Sequence, residues 1–139
     1  MRLLGYAVAV AALALAGCGG EREAKKEAEK SGRGPLTCTG STTADVVAFP
    51  APVAVSFVKA TKTGPTATYD GYSTASLDET FDGFKSAFDK AGYDVEKTDH
   101  EKHDAELEYK AKGGKREGQV ALRECDNGHT SVHVTNRPS

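Results

Sequence analysis

The sequence predicts an α+β domain. Its core is a mostly antiparallel β-sheet in the order β-β-α-β-β-β-β, with one amphipathic helix packed on one face. Three observations lead there. A capping box at Ser76-Leu77-Asp78-Glu79 opens an apolar stripe at helical spacing. Strict apolar and polar alternation runs through Ala105 to Ala111 and resumes beyond Gly113-Gly114. Two Val/Thr/Tyr-rich runs flank Gly64-Pro65 ahead of the helix.

In chain order, Cys38 to Pro52 reads as an irregular entry. It is Thr-rich at first and then Val46-Val47-Ala48-Phe49, and Pro50 and Pro52 forbid a central strand. Val53, Val55 and Phe57 alternate with small residues, so a strand is expected from Val53 to Thr61. Gly64-Pro65 turns the chain, and Thr66 to Ser73 returns with Ala67, Tyr69 and Gly71 on one face. In the helix, Leu77, Phe81, Phe84, Phe88 and Ala91 share one side, while Asp78, Asp82, Lys85 and Asp89 face water. Gly92 supplies the left-handed position that ends it. Tyr93 and Val95 then begin a short strand, and Asp99 to Asp104 reads as a charged loop.

The last three strands form a meander whose register is legible. A two-residue turn at Gly113-Gly114 sets Tyr109 opposite Gly118, Leu107 opposite Val120 and Ala105 opposite Leu122. A three-residue turn at Asp126-Asn127-Gly128 sets Cys125 opposite His129, Leu122 opposite Val132 and Val120 opposite Val134. In both hairpins the apolar sets coincide, and a slip of one residue would expose them. By the same alternation Cys125, Arg123, Gln119, His129 and His133 lie on the sheet face turned away from the helix.

The amino-terminal stretch has a different character. Met1-Arg2 carries one positive charge, Leu3 to Ala16 is uncharged and apolar over 14 residues, and Ala16-Gly17 is a small pair ahead of Cys18. The apolar run is shorter than the roughly 20 residues that a spanning helix needs, and it suits the apolar region of a signal peptide. Leu15-Ala16-Gly17-Cys18 resembles the lipobox of bacterial lipoproteins. That resemblance implies cleavage before Cys18, acyl chains on Cys18, and a home at the cell membrane, on its extracytoplasmic face. Residues 1–17 are then the signal peptide, 18–37 a lipidated cysteine with a charged and Gly-rich tether, and 38–139 a single domain. The tether has no apolar face with which to order itself, and it could reach roughly 60–65 Å fully extended.

Without Arg2, the leader's only charge, the mature chain carries 17 Lys and Arg against 20 Asp and Glu, a net charge of −3. Such a chain offers no electrostatic footprint for nucleic acid and no attraction to anionic lipid, so its hold on a membrane rests on the acyl chains. With Cys18 lipidated, Cys38 and Cys125 remain as an even pair in an exported protein, and a disulfide between them is expected. It would pin the entry across the outer sheet face or its end, with Val46 to Phe49 covering part of that face.

Candidate sites are few. His100-Glu101-Lys102-His103 is one residue short of the His-Glu-x-x-His spacing that aims two imidazoles at one metal. No nucleophile elbow is present, no Gly-rich loop opens the helix, and Glu106 and Glu108 point outward from a strand. Arg123, His129 and His133 are left as a polar binding face. The expectation is therefore a non-enzymatic binding module of the cell envelope, needing no cofactor, whose partner is an envelope protein or cell-wall component. The alternative is a lipoprotein that binds a small ligand or a metal through that face or the His100/His103 loop.

Overall fold

The computed structural model describes residues 36–42 and 49–139. The stretch expected to be a signal peptide, Cys18 and nearly all of the expected tether lie outside the described residues, as do Val46 to Ala48. Six strands and one helix follow in order: β1 Val55–Thr63, β2 Thr66–Ser73, α1 Leu77–Ala91, β3 Tyr93–His100, β4 Asp104–Ala111, β5 Arg116–Glu124 and β6 Thr130–Pro138. They form one sheet, ordered β1-β2-β6-β5-β4-β3, with every neighbouring pair antiparallel. The β1-β2 hairpin joins the β3-to-β6 meander through β2 and β6, and α1 carries the chain from β2 to the far edge at β3. No helix among the described residues is long and apolar enough to cross a membrane.

Local chemistry explains α1. The Ser76 hydroxyl accepts from the Glu79 amide and the Glu79 carboxylate accepts from the Ser76 amide, which completes the capping box. Gly92 adopts φ +78° and donates its N–H to the carbonyls of Phe88 and Asp89. Leu77, Phe81, Phe84 and Phe88 are buried as the stripe predicts. Ala91 is exposed, and Thr80 takes a buried place instead. The Thr80 hydroxyl donates to Ser73 Oγ at 2.8 Å, Ser73 Oγ also accepts from Ala75 N, and Thr130 Oγ1 donates to Ala75 O. The polar groups beneath the helix start are thus paired with one another, which is what burial demands of them.

Both meander registers match expectation: Tyr109 opposes Gly118, Leu107 opposes Val120, Leu122 opposes Val132 and Val120 opposes Val134. Cys125 donates its N–H to His129 O at 2.8 Å, as the three-residue turn requires. Three boundaries differ. β1 begins at Val55 rather than Val53, because Val55 N–H donates to Pro52 O and closes a turn that leaves Val53 fully exposed. β1 also runs on to Thr63, matched across the hairpin by Thr66. The charged loop expected at Asp99 to Asp104 narrows to Glu101, Lys102 and His103, with Asp99 and His100 in β3 and Asp104 in β4. Asp99 pairs with Glu106 and His100 with Ala105, and Glu101 N–H donates to Asp104 O across a short turn. Charged side chains there are compatible with a strand because β3 is an edge, where they discourage pairing with another chain.

The inner face of the sheet meets α1 over β3, β4 and β5. Phe84, Phe88, Leu107, Val120, Leu122 and Val134 lose essentially all contact with water there. Each such side chain contributes about 1.5–3 kcal/mol by leaving water. Phe49 corrects an expectation. It does not cover the outer face but packs into the inner one, with its ring centroid within 5.7 Å of Tyr69, Phe88 and Tyr109 and 6.4 Å from Phe57 and Tyr93. A phenylalanine beside an apolar face left open by a single helix gains more there than on a polar surface.

Candidate functional site

The residues singled out from the sequence do share the outer face, and the structure engages each of them. The Cys38–Cys125 disulfide is present and spans 87 positions of sequence. It lays Leu36–Gly40 across the outer face as a strap. Asn127 Nδ2 donates to Cys38 O at 3.2 Å. His129 Nδ1 lies 2.9 Å from the same carbonyl, which can only accept, so the contact is a hydrogen bond in the tautomer with the proton on Nδ1. The His129 ring stacks on Tyr72 with centroids 5.5 Å apart, and Tyr72 Oη donates to Gly40 O at 3.1 Å. His129 is therefore a clamp on the strap rather than a free ligand group.

His133 and Asp70 meet across β6 and β2, with Nδ1 2.5 Å from Oδ1. They border a small hollow whose other walls include Leu36, Thr37 and Ser131. Arg123 departs from its expected exposure: it is 7% exposed. Its Nη2 lies 3.5 Å from Asp104 Oδ2, while Nε and Nη1 have no hydrogen-bond partner. The physical reason is position. Arg123 pairs with Asp104 on one side and Ser131 on the other, close to the strap's disulfide, so its outward-facing place in the alternation is roofed over.

His100 and His103 are not brought together on a common centre. His100 Nε2 is 2.9 Å from Asp78 Oδ1 on α1, and its ring meets the Phe81 ring edge to face. His103 Nδ1 is 2.7 Å from Glu124 Oε2 on β5. Among the described residues no group of three His, Cys, Asp or Glu side chains is placed to hold a metal.

Beyond the strap, toward the Gly113-Gly114 turn, the outer face holds a groove of about 210 Å³ lined by Glu96, Glu108, Glu117, Gln119, Thr135 and Arg137. Glu117 pairs with Arg137 at 3.3 Å, and Glu108 lies 4.0 Å from Lys97. Gly118 and Tyr109 complete it. A side chain at Gly118 would strike Thr135 O and the Tyr109 hydroxyl, so glycine is what lets that hydroxyl donate to Thr135 O at 3.2 Å. Burial, reinforced by nearby Tyr93, pushes the Tyr109 phenol above the usual tyrosine range and keeps it a donor.

Sequence reasoning missed Asp70, Tyr72 and the groove. Alternation alone places Asp70 and Tyr72 on one side of β2. That this side borders His133 and His129 depends on the pairing of β2 with β6, which no local signal announces. Set against known proteins, the chain matches no protein-family model and no curated protein.

Proposed function

We propose that this chain is a lipid-anchored module of the bacterial cell envelope, held at the extracytoplasmic face of the membrane through Cys18. It binds an envelope protein or cell-wall component through the outer face of its sheet and catalyses no reaction. The anchor rests on the resemblance of Leu15-Ala16-Gly17-Cys18 to a lipobox. The Cys38–Cys125 disulfide is in keeping with an oxidising compartment. The observation that carries the binding role is the open polar groove at Glu96, Glu108, Glu117, Gln119 and Arg137, on a face whose other end is closed by the strap. Its mixed charges suit a partner that presents basic and acidic groups together.

Two measurements on cells producing the full chain test this reading. An alkyne-bearing fatty acid fed to the cells should label the protein and leave Cys18→Ala unlabelled. A photo-crosslinking residue at Gln119 should join the chain to one dominant envelope component, and the same residue at Asp82, on the exposed side of α1, should not. Equal labelling of Cys18→Ala defeats the anchor, and crosslinks indifferent to position defeat the binding face.

A further inference from the structure

The turn joining β5 to β6 places an exposed Asn127 ahead of Gly128. Glycine's lack of a side chain leaves its backbone nitrogen open to the side-chain amide carbon of the preceding residue. Two contacts favour that encounter here. The backbone N–H of His129 donates to Asn127 Oδ1 at 3.0 Å, where negative charge would gather if the amide carbon were attacked. His129 Nδ1 lies 3.2 Å from Asn127 Nδ2, the nitrogen that would leave, and in the tautomer that donates to Cys38 O it carries the proton. Gly128 N–H donates to Cys125 O at 3.1 Å within the turn, a bond that must open before its nitrogen attacks.

We propose that Asn127 is a self-modification site at which the chain deamidates with help from its own His129. The Gly128 nitrogen bonds to Asn127 Cγ and gives its proton to water. The bond from Cγ to Nδ2 then breaks, and the nitrogen departs as ammonia with a proton from His129 Nδ1, which solvent replaces. A five-membered cyclic imide remains. Water adds to either of its carbonyl carbons and opens it to aspartate or isoaspartate at position 127. No oxidant or reductant takes part.

The consequence falls on the strap. Asn127 Nδ2 is one of two donors to Cys38 O. Aspartate sets a carboxylate oxygen there, so a hydrogen bond is replaced by repulsion between two acceptors, while isoaspartate turns Cγ into the main-chain carbonyl and loses the donor altogether. Leu36–Gly40 then holds less firmly, and the disulfide beneath becomes easier for a dithiol to reach.

The test incubates the purified full-length chain at mildly alkaline pH and 37 °C, folded and in denaturant. Fragment mass spectrometry then locates any Asn-to-Asp conversion, with Asn136, which precedes Arg137, as the internal reference. Conversion at Asn127 should run several-fold faster folded than unfolded, yield isoaspartate as well as aspartate, and leave Asn136 intact. His129→Gln should slow the folded reaction several-fold. Asn127→Asp should raise the rate of disulfide reduction by dithiothreitol several-fold. Folded conversion no faster than unfolded overturns the proposal without reliance on any variant, and so does a rate indifferent to His129→Gln in a chain that still melts cooperatively. Reduction unaffected by Asn127→Asp overturns the coupling to the strap.

Discussion

The two faces of one sheet are closed by opposite means. The inner face is sealed by α1 and by Phe49, with rings and aliphatic side chains that give up nearly all their exposure. Among the described residues the outer face is closed at one end, by a strap held through one covalent bond and a few polar contacts. Apolar burial is tolerant of direction and rewards area, so one helix with three phenylalanines suffices on the inner side. Polar closure is directional and specific, and it leaves the rest of the outer face open, which is where a binding surface has room.

That contrast can be broken from either side. The largest effect belongs to the inner face. Phe84→Asp places a carboxylate at a fully buried position, and it should cost more than about 5 kcal/mol, comparable with the whole stability of a small domain. Loss of the cooperative thermal transition would show it. On the outer face, replacing Cys38 and Cys125 together by serine should cost about 2–4 kcal/mol while the domain stays folded. A denaturant midpoint shifted at unchanged slope is the expected result.

Tyr109 links the two faces. Its phenol is pushed above the ordinary tyrosine range in the folded state, so folding holds the proton more tightly than the unfolded chain does. That stabilisation is complete below about pH 10 and is lost as pH rises beyond it, where the unfolded chain ionises first. Tyr109→Phe should remove that part of the alkaline decline and cost about 1 kcal/mol at neutral pH through the lost bond to Thr135 O. Melting temperatures followed through the alkaline range would separate the two.

The smallest expected effect is at Arg123. A buried guanidinium with two unpaired nitrogens is a poor source of stability, so Arg123→Met should change the folding free energy by less than about 1 kcal/mol. A larger loss measured by denaturation would mean that its pairing with Asp104 matters more to the outer face than its geometry indicates.

The same contrast explains what was legible in the sequence. The helix and both meander hairpins are written locally, in a capping box, an apolar stripe and two turn motifs, and they appear where those signals put them. The disulfide followed from cysteine parity once Cys18 was set aside. Phe49 was misplaced because its neighbours come from β1, β2, α1, β3 and β4, five elements whose convergence no window of sequence contains. Arg123 was misjudged because alternation assigns a face and says nothing of what lies over it. The clamp of His129, Tyr72 and Asn127 was hidden for the same reason, since it forms only when β2 pairs with β6.

The strap also has a mechanical meaning. A pull on the chain upstream of Leu36 arrives at Cys38 and crosses the disulfide into Cys125, just past the end of β5. β5 is an interior strand, bonded along both sides to β4 and β6. The load therefore bypasses β1, the edge strand that comes next in sequence and that a direct pull would peel away first. Tension enters near the middle of the sheet, and a domain pulled from this end keeps that edge out of the line of force.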